Sequence, residues 1–138
     1  NSGIDMESAY PYHAIDENCN FTKNGSNTNI TNLVKIPQGS VLHLMDALLT
    51  IGPISVAIDA EEDFQMYKSG VFESTKCSST QLDHAVTAVG YGVTSGGKTY
   101  YIIKNSWGTN WGMDGYVYFS ADTPNMCGIA EDACYAVA

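Results

Sequence analysis

The sequence predicts an α+β domain: one amphipathic helix, then antiparallel strands that close part-way into a barrel. Three observations carry this expectation. Apolar residues recur at helical spacing in one segment, at Val41, Leu44, Met45, Leu48 and Leu49. Beyond Pro53 the chain turns to runs of β-branched and aromatic residues divided by glycine-containing turns. A hydrophobic content of 44% over 138 residues supplies one modest core and argues against disorder.

In chain order, residues 1–29 read as irregular, with Tyr10-Pro11-Tyr12 extended and a polar Asn/Gly/Ser/Thr loop after it. Residues 33–36 form a short strand candidate. Ser40 is a good N-cap for a helix over 41–51, which Gly52-Pro53 ends. Strands are expected over 54–58, 85–91, 99–104 and 116–119, with Ser95-Gly96-Gly97 as the turn of a hairpin. No internal repeat or heptad is present.

Six Lys and Arg against fifteen Asp and Glu leave a net charge of −9. Nucleic acid and anionic membranes repel such a surface, so neither is expected as a partner, whereas basic substrates and an acidic compartment suit it. No apolar run nears the roughly 20 residues of a membrane span. Asn1-Ser2-Gly3 shows neither an initiator Met nor a signal-peptide pattern, so a processed chain or a fragment is expected. Three Asn-x-Ser/Thr sequons, at Asn20, Asn24 and Asn29, crowd one polar stretch. They predict a glycosylated surface loop and a lysosomal or secreted protein. In that setting the four cysteines predict disulfides rather than metal ligands, since no two are spaced C-x-x-C and no His lies near them. No metal or other cofactor is expected.

Histidine is the side chain that trades protons near neutrality. His13 falls in a loop and His43 on the amphipathic helix, where a histidine is usually structural or solvent-facing. His84 differs: it begins a strand beside Asp83 and precedes a small-residue run ending at Gly92, a placement that holds an imidazole at a strand end. Asn105, twenty-one residues on, offers a carbonyl to one imidazole nitrogen and leaves the other for a thiol. Trp107 is placed to cover that hydrogen bond and keep water off it, and Trp111 to wall the leaving side of a substrate. From composition alone the two tryptophans read equally well as core residues of a Gly-rich hairpin.

The motifs themselves are more specific. Tyr10-Pro11-Tyr12, Gly52-Pro53-Ile54-Ser55-Val56-Ala57, Asp83-His84-Ala85, Lys104-Asn105-Ser106-Trp107-Gly108 with Trp111-Gly112, and Cys127-Gly128-Ile129-Ala130 stand in this order. Their order and spacing resemble the papain family of cysteine peptidases, most closely its cathepsin L-like members, over essentially the whole chain. The resemblance implies a papain-like right-hand domain, with residues 1–138 as the carboxyl-terminal, mostly β-barrel part of such an enzyme. The helical domain bearing the nucleophilic cysteine is then absent from this chain, and that cysteine is expected on the order of 50 residues before Asn1.

The resemblance also implies roles. His84 is the base and Asn105 its orienter, serving a thiolate in the missing half. Ala57, Leu82 and Ala85 wall the pocket for the second residue before the scissile bond, and Asp132 is its floor; Asp83 and Trp111 also border the substrate. Cys77 pairs with Cys127, Cys19 has its partner in the missing half, and Cys134 departs from the family pattern. The expected partners are a peptide or protein substrate, the missing amino-terminal half, and a propeptide or protein inhibitor. The function implied is cysteine-type endopeptidase. Two readings from other classes stand beside it: a non-catalytic relative with the nucleophile replaced upstream, and a binding module made of this half alone. The latter would expose an apolar face that normally meets its partner.

Overall fold

The computed structural model describes residues 3–13, 15–22 and 26–138. They fall into a smaller unit, residues 1–34 with 136–138, and a larger unit, Lys35–Tyr135. In the smaller unit β1 (Ile4–Asp5) pairs antiparallel with β2 (Ser26–Thr28), Ile4 opposite Thr28. Polar side chains hold the chain between them. The Glu7 carboxylate accepts the Tyr12 N–H at 3.1 Å, Asp5 accepts that of Thr22 at 3.2 Å, and the Tyr10 hydroxyl accepts that of Asn20 at 3.1 Å. The expectation of wholly irregular chain before residue 30 is corrected by this one pairing, because strands of two and three residues are too short to show a period of two.

The remaining elements are β3 (Asn32–Lys35), α1 (Val41–Thr50), β4 (Ile54–Ile58), α2 (Glu62–Gln65), β5 (Val71–Phe72), β6 (His84–Val93), β7 (Thr99–Lys104), β8 (Tyr116–Ser120) and β9 (Ala133–Val137). The sheet order is β3-β9-β4-β6-β7-β8-β5, and the division between the two units falls within β3 and β9. β4 pairs antiparallel with β6 and β9, as do β6 with β7 and β7 with β8, while β5 and β8 are parallel. Since β3 and β5 stand at its two edges, the sheet does not close. No helix among the described residues is long and apolar enough to cross a membrane.

Sequence chemistry accounts for α1. Ser40 takes an extended conformation and its Oγ accepts the His43 N–H, which satisfies one of the donors left over at a helix start. At the other end Ile51 and Gly52 both donate to the Ala47 carbonyl, and Pro53 forbids continuation. The helix packs on β4 and β6 and buries Leu44, Ala47 and Leu48, each buried leucine worth about 2 kcal/mol of transfer free energy. Leu49, at the edge of the arc that the five periodic positions span, is 71% exposed.

In β4 the alternation is strict: Ile54, Val56 and Ile58 are buried, whereas Ser55 and Ala57 face the other side. Opposite them β6 buries Val86 and Ala88, with Ala85 and Thr87 outward. A bulge between Ala88 and Gly90 then shifts the register against β7. Beyond it the ring of Tyr100 lies against Gly92, where a Cβ would come within 2.8 Å of the Tyr100 hydroxyl, and stacks on Tyr118 at 4.2 Å. The inner face joins Ile103, Val117, Phe119 and Tyr101 to α1 in one core. Sequence reading did not find β9, whose Ala-Cys-Tyr-Ala-Val has little β-branched content, nor α2, a single acidic turn.

Candidate active site

β6 and β7 run antiparallel with Thr87 opposite Lys104, so the first residue of β6, His84, and the residue after β7, Asn105, emerge at the same end of the sheet. His84 is the cross-strand partner of Ile58 at the end of β4. Its predecessor Asp83 gives its N–H to the Ile58 carbonyl at 3.1 Å and takes the Ala60 N–H on its carboxylate at 2.9 Å. Asn105 is held by its own N–H on the Gly115 carbonyl at 2.9 Å.

The two side chains meet. His84 Nε2 lies 2.8 Å from Asn105 Oδ1, and the same oxygen accepts the Ser106 N–H at 2.8 Å. A backbone N–H can only donate, so the second bond identifies this amide atom as the oxygen. Nε2 must therefore carry the proton, and in the neutral ring Nδ1 keeps the lone pair. Asn105 is 7% exposed, and its Nδ2 is buried without a hydrogen-bond partner among the described residues. A shallow cleft of about 220 Å³ lies alongside, lined by Ser55, Ala85, Val86, Thr87, Lys104, Asn105 and Ser106.

Aromatic rings surround the pair. Trp107 stacks on the imidazole with centroids 4.8 Å apart and planes at 27°, and stays partly accessible. Behind it sits Phe64 of α2, fully buried, 5.6 Å from Trp107, 5.1 Å from Trp111 and 6.4 Å from His84. Trp111 donates its indole N–H to the Gln65 carbonyl at 3.0 Å and is only 8% exposed. It thus underlies the cluster and offers little more than an edge to a ligand. Sequence reasoning missed Phe64 altogether, since nothing in a short acidic turn announces that its one aromatic residue supports a histidine twenty positions away.

Three of the residues expected to form the pocket, Ala57, Ala85 and Asp132, lie side by side on neighbouring segments. Ala57 and Ala85 are cross-strand partners with outward side chains. The Ala57 N–H donates to the Asp132 carbonyl at 3.2 Å. Because Val56 faces Ala133 and both are buried, Ala57 and Asp132 point to the opposite side. Leu82 packs over Gly128, where a Cβ would approach Leu82 Cδ2 to 2.3 Å. The Asp132 carboxylate is 3.2 Å from Lys35 Nζ, with both side chains largely exposed.

Cys77 and Cys127 form a disulfide across 50 residues of chain that include His84 and Asn105. Cys19 is exposed and Cys134 half-buried, each a free thiol. Asn20 and Asn29 are exposed, whereas Asn24 lies outside the described residues. His13 bonds the Glu17 carboxylate at 2.8 Å in a cleft that Glu7, Tyr12 and Asp16 also line, and His43 bonds the Ser40 hydroxyl. No group of three or more His, Cys, Asp or Glu among the described residues is placed to hold a metal ion.

Comparison with known proteins follows the same lines. A family model described as papain family cysteine protease matches residues 1–137. Digestive cysteine proteinase 1 of Homarus americanus is 52% identical over 136 residues, which is 98% of this chain and 42% of that protein. Cathepsin L2 of Homo sapiens is 46% identical over 139 residues, again 98% of this chain and 42% of that protein. The structure of digestive procathepsin L 3 of Tenebrio molitor larval midgut superposes with a TM-score of 0.94 at 41% identity, over 99% of this chain and 44% of that one. The bromelain protease of Ananas comosus in complex with the E64 inhibitor gives 0.87 at 42% identity, over 99% and 63%. The chain spans about two fifths of the length of the curated relatives it matches. On this likeness, which runs through the sheet and through the segments carrying His84 and Asn105, the chain belongs to the papain family of cysteine proteases, among its cathepsin L-like members.

Proposed function

We propose that this chain is the carboxyl-terminal part of a cysteine-type endopeptidase and supplies its general base, His84, and the orienter of that base, Asn105. The nucleophile is a cysteine borne by a preceding segment or chain. One observation carries the reading: Asn105 Oδ1 holds the proton on His84 Nε2 and so leaves Nδ1 as the basic nitrogen.

In this mechanism the thiol proton passes to Nδ1, giving a thiolate–imidazolium pair. The thiolate attacks the scissile carbonyl to give a tetrahedral intermediate. That intermediate collapses with cleavage of the C–N bond as the imidazolium protonates the leaving amine. Water then loses a proton to Nδ1 and hydrolyses the thioester, which regenerates the thiol. Asn105 keeps the ring oriented throughout, and Trp107 limits water at the Nε2–Oδ1 bond. Cys77 and Cys127 are bonded to each other, and neither Cys19 nor Cys134 stands in the Gln-x-x-x-x-x-Cys-Trp setting that the resemblance asks of a nucleophile. None of the four is the nucleophile, and the chain is inert by itself.

Ala57, Leu82 and Ala85 form an apolar slot for Leu, Val or Phe at the second residue before the scissile bond. Asp83 and the edge of Trp111 border the substrate. Asp132 at the floor also admits Arg or Lys, giving dual specificity. Substrates with Phe-Arg or Arg-Arg before the cleaved bond separate the two modes, and an Asp132→Ala variant with an unchanged ratio sinks this part of the reading. The partners are peptide or protein substrates, the missing half, and a propeptide or protein inhibitor. Sequons at exposed Asn20 and Asn29 and the Cys77–Cys127 disulfide support a lysosomal or secreted glycoprotein.

The test is intact mass and peptide mapping of the native protein after treatment with a thiol-directed epoxide. The expected label falls on an upstream cysteine and disappears in His84→Ala. Specific labelling of any cysteine within residues 1–138, or native protein that carries no upstream nucleophile, overturns the assignment.

A further inference from the structure

We propose that Lys35 is a specificity-determining residue: its ammonium group occupies the acidic floor of the pocket, and a basic substrate side chain enters only by displacing it. This rests on the reading of Ala57, Leu82, Ala85 and Asp132 as the pocket given above.

The geometry begins with strand alternation. Asp132, Ala57 and Ala85 form one cross-strand row on the outward face of the sheet, and Ala85 is the residue next to His84. With strands about 4.8 Å apart, the row places Asp132 roughly 10 Å from Ala85. That is the reach of a substrate side chain lying over small residues, and Ala57 and Ala85 leave that path open. At the end of this path the charge is not a bare carboxylate. Lys35 Nζ stands 3.2 Å from Asp132 Oδ1, and its position is set by the next residue, Ile36, which is buried and donates its N–H to the Ala133 carbonyl at 2.9 Å.

Neighbouring groups make the pairing selective. Glu131, adjacent to Asp132, has one oxygen on the Gln38 amide and the other on the Asn125 amide at 3.3 Å. Asp132 is thus the carboxylate within ion-pair distance of Lys35 among the described residues. The pair is also open to exchange. The side chains of Lys35 and Asp132 are 71% and 60% exposed, so solvent weakens their attraction and salt screens it. An arriving guanidinium, able to bind a carboxylate with two parallel hydrogen bonds, competes well with a single ammonium. An apolar side chain has no such competition to win, and it packs along the lysine stem. Lys35 therefore tilts an otherwise dual pocket toward apolar residues, and does so most at low ionic strength.

The experiment measures kcat/KM of the full-length enzyme on Arg-Arg and Phe-Arg substrates for wild type, Lys35→Gln and Asp132→Asn, at about 0.05 M and 1 M salt. Lys35→Gln is expected to raise the Arg-Arg to Phe-Arg ratio by about 1.5- to 5-fold at low salt, the range of an exposed ion pair, with the gain shrinking at high salt. A general disturbance of the fold would move both substrates together and leave the ratio in place. Asp132→Asn is expected to lower the ratio. If it does so while Lys35→Gln leaves the ratio unchanged or lower, the role of Lys35 is overturned and the pocket stands. If Asp132→Asn changes nothing, the pocket reading fails and the inference fails with it. An enzyme inactive on both substrates overturns the proposed function itself.

Discussion

The imidazole of His84 lies nearly parallel to the indole of Trp107, 4.8 Å away, while its Nε2 reaches Asn105 Oδ1 at 2.8 Å. One flat wall and one hydrogen bond together fix the ring's two rotations. Replacing Trp107 by Ala opens the bond to water and frees the ring. We expect kcat/KM of the full-length enzyme to fall about 5- to 10-fold, the equivalent of one weakened hydrogen bond, with a smaller loss in Trp107→Phe. Steady-state kinetics on the Phe-Arg substrate measure this, and equal activity of all three enzymes refutes it.

On the proposed reading Asn105 acts through His84 rather than on substrate. Asn105→Ala leaves Nε2 without an acceptor, so the ring can take the other tautomer and its orientation is lost. A loss on the order of 100-fold in kcat is expected, with KM nearly unchanged. Asn105→Gln should not rescue it, because the longer side chain moves the carbonyl off the Ser106 N–H that holds it. A variant that raises KM alone would place Asn105 in substrate binding instead.

How far the sequence led depends on the length and regularity of each signal. α1 was legible because Ser40, five apolar positions and Gly52-Pro53 agree about it, and β4 and β7 matched to the residue. His84 and Asn105 could be named as a pair from their motifs. What joins them, the opposition of Thr87 and Lys104 on neighbouring strands, is a register that no local pattern encodes. Phe64 and Lys35 were invisible for the same reason: each meets its partner across 20 or more residues of chain, Phe64 at His84 and Lys35 at Asp132. Leu49 shows the limit of periodicity: it keeps the helical spacing yet lies at the edge of the arc and is exposed.

Gly128 joins the disulfide to Leu82 of the proposed pocket. Its φ is +76°, a region that side chains disfavour, and an added Cβ would meet Leu82 Cδ2 at 2.3 Å and the Ser79 carbonyl at 2.8 Å. Leu82 can swing away, but the backbone at Ser79 cannot without moving the Cys77 loop. Gly128→Ala is therefore expected to cost about 2–4 kcal/mol. It should also weaken selection of apolar residues through the displaced Leu82. Denaturant unfolding under non-reducing conditions reads the first effect and substrate ratios the second; a change below about 0.5 kcal/mol contradicts the packing.

Tyr101 lies in the middle of β7 with 1% of its surface exposed, and its hydroxyl has no partner among the described residues. Burial pushes its pKa up to about 12, since the phenolate would lose its hydration. In the unfolded chain the same group ionises near 10. Between those values the unfolded state holds fewer protons than the folded one, so stability must fall as pH rises. The contribution is intact below about pH 10 and is lost as pH climbs through 12, with a span of about 2–3 kcal/mol. Tyr101→Phe removes both the unpaired hydroxyl and the titration. It should stabilise the protein by about 1 kcal/mol at pH 7, and its advantage over wild type should widen from pH 10 upward. Urea midpoints of the two proteins at pH 7, 9 and 11 measure this, and because every other titrating group is shared, a constant difference across the three would show that Tyr101 ionises freely in the fold.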